Sequence, residues 1–580
     1  MKPLGIILGS LALVLLMFLP LDSSPDVQPP GEERDKLTFG QMSGDDAMPK
    51  GPIHNAHFMP VGVQAMALHQ LAGTLEVEAL PVKRIRDGFP AFSARFFTHD
   101  GHLVPVERDI IPGNDSFWDI IVSPGKVWSE AADQGWSRAS FPFVLVSRVW
   151  NESHNGIATF IYNGAQVSKL SIQIVQESSP WSKFDGWAQL PLRFTPEKPS
   201  GLNALIKGFE QERENQFPIR PWSDLDLPDG VDPLAAFDGD AKHVTVSGLV
   251  VDGVLYAQPC RTRYGDFPYC SELRHGVFSV TKSSGAALSL FWLAEQYGDE
   301  VYDLLITDYV DVTADHDGWD EVTFGHVLNM MTGVGEKAPG RKPSANSFEA
   351  DDEDDELFEQ FGGALGAVDK LDVAFSVDNY SWGPGEVGRY NTLQTFVLSA
   401  AMDAFLKEEE GEDANLWDRV VEEVLKPIGI EYAPMMHTQE ADGSRGIPMM
   451  GYGYLPTLGE VAKLAQLFHD GGHHEGEQLL DAEKIEELFS NSSDIGYPLF
   501  WRNEAAAYRY HLSFWLMPFE GEDECILWVP EMIGLGGNIV ALMPNGMTAI
   551  RFADGDDNAV NNSDGESMVD IADSLESFCD

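Results

Sequence analysis

The stretch GVFSVTKSSGAALSLFWLAEQYG, Gly276 to Gly298, places a serine three residues before a lysine where a helical pattern begins. Apolar residues recur in its second half at helical spacing, which predicts a buried helix over Ser279–Tyr297. Residues i and i+3 are neighbours on a helix, so Lys282 can reach the hydroxyl of Ser279. The start of a helix also stabilises negative charge on a serine or acyl oxygen. The pair is either a nucleophile with its base or a helix cap beside a solvated lysine.

A second S-x-x-K match, Ser123–Lys126, serves as a comparison within the same chain. Pro124 and Gly125 separate its serine from its lysine and favour a turn, in which the two side chains do not share a helical face. We therefore expect Ser123 to be a loop residue, whereas both interpretations of Ser279 stay open.

The composition of the chain limits what it can bind. Its 580 residues carry 38 Lys and Arg against 92 Asp and Glu, a formal net charge of −54. A surface this acidic repels DNA, RNA and anionic lipid, so no nucleic-acid partner is expected. The acidity is dispersed except for the run Glu349–Glu356, which is typical of a solvated loop. A saline habitat and a lineage bias would both explain the dispersed acidity.

The N-terminal residues predict export. Residues 1–22 are an apolar stretch behind a single lysine, which is typical of a signal peptide. No Ala-x-Ala cleavage site follows, so an uncleaved membrane anchor over residues 4–21 is the alternative. Residues 23–53 are rich in Pro, Asp and Gly and read as a linker. The body of the protein is therefore expected in the periplasm or outside the cell.

The pattern beyond the linker predicts two folded units. Residues 54–200 contain short runs rich in Val, Ile, Phe and Thr between turn residues, which favours an all-β sandwich or barrel. Residues 201–580 begin with a hairpin that turns at Asp252-Gly253, continue through a long helical middle and end in strands. This order predicts an α/β (α+β) domain with a mainly antiparallel sheet, whose first and last strands come from its two ends. The first unit could cap the active site, anchor the enzyme or bind polysaccharide.

The four cysteines lack the spacing of a metal site. Cys260 and Cys270 flank a loop rich in Pro, Tyr and Gly, and would form a disulfide in an oxidising compartment. Two buried free thiols are the alternative for this pair.

Five stretches, in order, resemble the serine beta-lactamase and penicillin-binding-protein superfamily, particularly its class C-like esterase and peptidase branch. The Ser279 stretch is similar to the F/I-x-S-x-x-K segment that opens the active-site helix of that family. The resemblance implies a beta-lactamase/transpeptidase-like domain with a helical subdomain, and it spans Val244–Phe552. The other stretches are Trp319–Gly335, Trp382–Met402, Leu416–Ile430 with Gly451–Gly472, and Ile533–Phe552.

The resemblance implies a role for each matching residue. Ser279 matches the nucleophile, Lys282 the lysine that activates it, and Tyr390 the tyrosine of Y-x-N that shares proton transfer with the serine and the leaving group. A tyrosine acts as a base only beside positive charge, which Lys282 supplies. The N–H groups of Ser279 and Leu535 would form the oxyanion hole. The implied substrate-binding positions are Thr392, Met532, Gly534 and Gly536.

Two positions depart from the family pattern. Thr392 stands at the third position of Y-x-N, with Asn391 one place early, and a hydroxyl cannot donate and accept as an amide does. Met532 stands where the family has the Lys or His that commonly meets a substrate carboxylate. A buried carboxylate without a partner is costly. The departures favour a neutral ester or amide over a beta-lactam or a D-Ala-D-Ala peptide.

These observations predict an exported serine hydrolase, an esterase or amidase that acts through an acyl-enzyme on Ser279. Its substrate would be a small-molecule ester or amide or a peptide, and no metal or organic cofactor is required. His326, His437 and His473-His474 have no second ligand at metal spacing and are expected to be structural or solvated. The alternative is a catalytically inactive cell-envelope binding protein that keeps the fold. The sequence leaves the oligomeric state open.

Overall fold

The structure is a computed structural model. Residues 1–22 and 23–53, and most of the acidic run, lie outside the residues it describes, so the predictions made for them stay predictions. No helix within the described ranges has the length and hydropathy needed to cross a membrane. The described ranges are 67–79, 88–113, 116–130, 133–179, 186–228, 243–335, 355–490, 495–499, 508–521, 525–555 and 563–579.

Ten described strands between Ala72 and Pro196 form one antiparallel sheet, the first sheet. Its two edge strands are consecutive in the chain and are separated by Pro191 alone. The prediction of a sandwich or barrel that forms a domain of its own stays a prediction. The strand order is Leu192–Pro196, Ala72–Val77, Phe92–His99, His102–Pro105, Gly125–Trp128, Ser137–Ser147, Ser153–Tyr162, Leu170–Glu177 and Gly186–Leu190, with Trp118–Val122 paired to Ser137–Ser147.

The first sheet is covered on both faces at its centre. Every residue of the strands Ser137–Ser147 and Ser153–Tyr162 is buried. Successive side chains of a strand point to opposite faces. Accordingly, Phe143 and Ala158 belong to the sheet's own core, whereas Val144 and Ile157 belong to the core of the rest of the chain. The two units therefore meet through a continuous apolar core.

The second sheet has nine described strands and is antiparallel except at one edge, where Ile219–Pro221 runs parallel to Val254–Ala257. Asp252 and Gly253 have φ of 49° and 73° and make the predicted hairpin turn. Val244–Val251 pairs with Thr548–Ala553, so strands from the two ends of the second unit are neighbours in this sheet. The strand order is Ile219–Pro221, Val254–Ala257, Val244–Val251, Thr548–Ala553, Asn538–Leu542, Ile526–Gly534, Phe514–Glu520, Arg509–His511 and Tyr497–Pro498.

Helices pack on both faces of the second sheet. The α-helices are Leu202–Glu214, Leu288–Tyr297, Ile306–Tyr309, Phe324–Leu328, Asp355–Gly363, Ala367–Phe375, Thr392–Glu410, Leu416–Val420, Leu458–His469, Ala482–Leu488 and Ser563–Leu575, with π-helical turns at Lys282–Ala287 and Val421–Leu425. Short 3₁₀ turns lie at Trp222–Asp224, Cys270–Glu272 and Asp299–Asp303, and two-stranded hairpins pair Arg261–Thr262 with Gly265–Asp266, His437–Gln439 with Arg445–Pro448, and His473–His474 with Glu477–Gln478.

The C-terminal helix Ser563–Leu575 was not expected from the sequence. Its serines, aspartates and Gly565 lower its intrinsic helix propensity. Its formation follows from packing instead, because Met568 and Val569 belong to an apolar cluster with Leu249 of the second sheet. Tertiary contacts thus override a weak local signal.

All four cysteines are paired in two disulfides. Cys260 and Cys270 form the bridge that the sequence allowed, with an S–S distance of 2.00 Å, so the free-thiol alternative for this pair was wrong. Cys525 pairs with Cys579, 54 residues further along the chain, and ties the C-terminal segment to the second sheet. Cys525 directly precedes the strand Ile526–Gly534, so the second bridge connects the C-terminal segment to the start of this strand.

The two disulfides should differ in their effect on stability. A disulfide lowers the entropy of the unfolded chain. This raises the free energy of the unfolded state by about 4 kcal/mol for a 54-residue loop and by about 3 kcal/mol for a 10-residue loop. We expect a Cys525→Ser/Cys579→Ser variant to unfold in less urea than a Cys260→Ser/Cys270→Ser variant, and both to unfold before the wild type. Thiol titration of the denatured, unreduced wild type should detect no free thiol; four free thiols would contradict both pairings.

Candidate active site

Ser279 reaches solvent from an otherwise buried segment. From Leu273 to Ala294, Ser279 is the one residue that is not buried. It follows Phe278, whose φ of 49° is left-handed, and it precedes the helical turn that continues into Lys282–Ala287. A left-handed backbone at a bulky residue costs about 1–3 kcal/mol and persists only where the surroundings hold it. The local backbone therefore turns one hydroxyl outward from the core.

Lys282 is buried beside this hydroxyl, 1% exposed. Its Nζ lies 2.8 Å from Ser279 Oγ, 2.9 Å from Thr392 Oγ1 and 3.0 Å from the carbonyl oxygen of Gly451. An ammonium has three N–H donors and no acceptor, and here three oxygens receive them. The structure thus brings Ser279 and Lys282 together at the spacing that the sequence predicts.

The same geometry lets Lys282 act as a base. A neutral amine keeps two N–H donors, which Gly451 O and Thr392 Oγ1 can accept, and has one lone pair. That lone pair then faces the Ser279 hydroxyl at 2.8 Å. The proton of Ser279 can pass to Lys282 without movement of any heavy atom, and the resulting ammonium finds all three acceptors in place.

Tyr390 lies against the lysine, as the family resemblance implies. Its ring centroid is 4.7 Å from Lys282 Nζ, a distance at which a cation is attracted to an aromatic face. The tyrosine is 5% exposed and packs on the rings of Trp515 and Tyr510 at 5.5 and 5.9 Å. The aromatic cluster fixes the ring beside the Ser279–Lys282 pair.

The Thr392 position has a structural explanation. Asn391 is the N-cap of the helix Thr392–Glu410, and its Oδ1 accepts hydrogen bonds from the N–H groups of Leu393 and Gln394. Asn is a preferred N-cap, so this role was readable from the sequence. Thr392 is then the first helical residue, and its observed contact is with Lys282. Its predicted contact with substrate stays a prediction.

The strand Ile526–Gly534 ends against the N–H of Ser279. A Cβ added to Gly534 would lie 3.2 Å from Ser279 N and 2.0 Å from the carbonyl oxygen of Val277. Within the described part of the chain, neither the Ser279 N–H nor the Leu535 N–H donates to another protein group. Gly536, with φ of 90°, begins the turn away from the site. This arrangement is compatible with the oxyanion hole that the family resemblance implies.

Met532 is buried, and its predicted contact with substrate stays a prediction. Its side chain is 1% exposed in the main core, whereas the next residue, Ile533, packs against the cluster that contains Tyr390 and Trp515. Because side chains alternate along a strand, only one of these two neighbours can point toward Tyr390. An apolar side chain thus lies on the Tyr390 side of this strand, beside the position where the family has a cation.

The candidate histidines have structural surroundings. His326 completes a capping box with Thr323 at the start of Phe324–Leu328. The ring of His437 contacts the carbonyl oxygen of Met435. His473 and His474 form a short strand of a hairpin. No group of three His, Cys, Asp or Glu side chains in the described ranges could hold a metal ion.

Alanine at position 534 should disrupt the contact between the strand and Ser279. A methyl group 2.0 Å from Val277 O and 3.2 Å from Ser279 N cannot be accommodated without moving one of the two backbones. We expect Gly534→Ala to lower the thermal midpoint and to abolish reaction of Ser279 with an active-site probe. Gly208→Ala, in the helix Leu202–Glu214 where the added Cβ meets open space, is the control and should retain both properties. Normal labelling of Gly534→Ala would contradict this placement of the strand.

No protein-family model matches the chain, and no curated protein matches it. Similar solved structures include a Bacillus anthracis protein assigned as a 6-aminohexanoate-dimer hydrolase (18% identity, 63% of this chain and 89% of that chain, TM-score 0.45). A D-stereospecific amidohydrolase from Streptomyces sp. is 14% identical over 56% of this chain and 95% of its own, with a TM-score of 0.39.

A family VIII carboxylesterase is 16% identical over 63% of this chain and 96% of its own, with a TM-score of 0.38. Identities and TM-scores this low do not indicate an activity for this chain. The geometry of the site is the basis for its proposed chemistry. The similar solved structures also include a class C beta-lactamase and a penicillin-binding protein homolog from Caulobacter crescentus.

Proposed function

We propose that the protein is an exported serine hydrolase that cleaves an ester or amide through an acyl-enzyme on Ser279. The observation that carries this proposal is the 2.8 Å contact between Lys282 Nζ and the hydroxyl of Ser279, at the one accessible residue of a buried segment. A serine hydroxyl is a weak nucleophile until an adjacent base takes its proton. A solvated lysine on a helix face would not be 1% exposed with three oxygen partners.

The reaction follows from these positions. Ser279 Oγ attacks the carbonyl carbon of the substrate while its proton moves to Lys282. The oxyanion of the tetrahedral intermediate accepts hydrogen bonds from the N–H groups of Ser279 and Leu535. The bond to the leaving group breaks, and the proton is returned to that group from Lys282, with Tyr390 sharing the transfer. Water then attacks the acyl-enzyme and gives a proton to the same groups. They pass this proton to the departing Ser279 Oγ, so that the acid and the free Ser279 hydroxyl are released.

The surroundings of the serine support a neutral substrate. Ile533 and the aromatic rings of Tyr390, Tyr510 and Trp515 form an apolar cluster beside Lys282. Three protein oxygens already lie within hydrogen-bond distance of Lys282 Nζ, so this group is poorly placed to bind a substrate carboxylate. Burying such a carboxylate without a partner would be costly. A neutral acyl group is therefore the substrate class that we propose.

Export is supported by the disulfides. Both pairs, Cys260–Cys270 and Cys525–Cys579, would be kept reduced in a cytosolic compartment. The apolar residues 1–22 supply the corresponding targeting signal. We propose the periplasm or the cell exterior as the site of action, with residues 4–21 either removed or retained as an anchor.

Replacing the nucleophile should abolish covalent labelling. We expect a fluorophosphonate probe to add one label to the wild type and none to Ser279→Ala, as measured by intact-protein mass spectrometry. Ser284→Ala is the matched control, because its hydroxyl only donates to the carbonyl of Val280 in its own helix. Equal labelling of wild type and Ser279→Ala would refute the proposed nucleophile, and no labelling of the wild type would favour the inactive binding protein.

The charge of the acyl group should decide the rate. We expect the nitrophenyl ester of butyrate to react at least about ten-fold faster than the mono-nitrophenyl ester of succinate, because an unpaired buried carboxylate is unfavourable by more than about 1.4 kcal/mol. The comparison uses kcat/KM at an ionic strength of about 1 M, where screening over about 3 Å suppresses repulsion by the acidic surface. Equal rates for both esters would show that a cation binds the carboxylate.

A further inference from the structure

The backbone beside Ser279 is held by a residue of the other unit. The N–H of Phe278 donates to Asn151 Oδ1 at 2.7 Å, and Asn151 is 0% exposed. Asn151 lies in the connection between the strands Ser137–Ser147 and Ser153–Tyr162 of the first sheet. Phe278 is the left-handed residue that turns the Ser279 hydroxyl outward. A bulky residue is unfavourable in that conformation, so this buried hydrogen bond helps to retain it.

The other end of the same amide holds the lysine side of the site. Asn151 Nδ2 donates to the carbonyl oxygen of Tyr454 at 3.3 Å. Tyr454 follows Gly451 by three residues, and the Gly451 carbonyl is one of the three acceptors of Lys282. The hydroxyl of Tyr452, in the same segment, donates to the carbonyl oxygen of Val149 at 3.3 Å. One buried side chain therefore joins the backbone before the nucleophile to the backbone that receives the lysine.

The backbone around Asn151 is packed closely against the segment that leads to Ser279. A Cβ on Gly276 would lie 1.7 Å from the carbonyl oxygen of Asn151, and the N–H of Gly276 donates to Ser153 Oγ at 3.0 Å. The hydroxyl of Ser178 donates to the same Asn151 carbonyl oxygen at 3.4 Å. The segment that leads to Ser279 thus lies directly on the first sheet, and the position of Asn151 is fixed from several sides.

We propose that Asn151 is a positioning residue for the Ser279–Lys282 pair. Its two hydrogen bonds set the direction of the Ser279 hydroxyl and the position of Gly451 O relative to Lys282. It does not touch the reacting atoms. The first sheet is then a structural part of the catalytic centre and not an independent binding module. This inference rests on the proposed hydrolase function.

A matched control exists four residues along the chain. Asn155 is 1% exposed and also crosses between the units, where its Nδ2 donates to the carbonyl oxygen of Arg274 at 2.8 Å. Arg274 precedes Phe278 by four residues, so Asn155 joins the same segments without holding the left-handed turn. Asn151→Leu and Asn155→Leu each replace the buried amide of an asparagine with an apolar side chain. Both changes lie in the same contact between the two units.

The experiment measures two quantities for each variant, the rate of acylation in the first turnover and the thermal midpoint of unfolding. The rate is measured at a temperature where every variant is folded. We expect Asn151→Leu to slow acylation by about 10- to 100-fold, the range in which small misplacements of reacting groups act. Asn155→Leu, at a similar loss of thermal midpoint, should acylate near the wild-type rate. Asn151→Asp keeps an acceptor for Phe278, and its protonated carboxyl can donate to Tyr454 O. Its rate relative to wild type should therefore increase as the pH is lowered.

Each outcome decides the inference. If the wild type labels at Ser279 but Asn151→Leu and Asn155→Leu acylate at equal rates, Asn151 has no positioning role and the proposed function stands. If Asn151→Leu does not fold, the Asn151→Asp series decides, because a rate ratio that is constant with pH would overturn the inference. If the wild type itself is not labelled, the proposed function fails and this inference fails with it.

Discussion

The rest of the site depends on the hydrogen bonds of the buried Lys282 side chain. A charge removed from water is unfavourable unless it is paired and hydrogen-bonded. Here the partners are Ser279, Thr392 and Gly451, which come from three separate segments of the chain. Each segment must be held to within a few tenths of an ångström for the three donors to be satisfied. The surrounding fold holds the three segments in these positions.

Both sheets supply that support. The second sheet brings Gly534 against the N–H of Ser279, where only a glycine fits. The first sheet brings Asn151 to the left-handed Phe278, so that the Ser279 hydroxyl is turned out of the core. Val144 and Ile157 contribute to the apolar core that the two units share. This core holds Gly534 and Asn151 in position beside the site. Under the proposed function, preorganisation of this kind would let a weak nucleophile react without rearrangement of the protein.

Local signals in the sequence predicted local geometry well. The i, i+3 spacing of Ser279 and Lys282 predicted their contact, and Asp252-Gly253 predicted a hairpin turn. The partners that complete the site are distant in sequence: Gly451 lies 169 residues from Lys282, and Asn151 lies 127 residues from Phe278. No periodicity or spacing connects such positions, because they meet only through tertiary packing. The Cys525–Cys579 bridge was missed for the same reason.

The central claim is that an acyl group passes to Ser279 while Lys282 takes its proton. The most direct test mixes the wild type with a nitrophenyl ester, quenches with acid within the first turnover and maps the acylated peptide by mass spectrometry. The account predicts one equivalent of nitrophenolate per protein and the acyl group on Ser279 alone. Nitrophenolate release with the acyl group on another residue, or with Ser279 unmodified at every quench time, would contradict it.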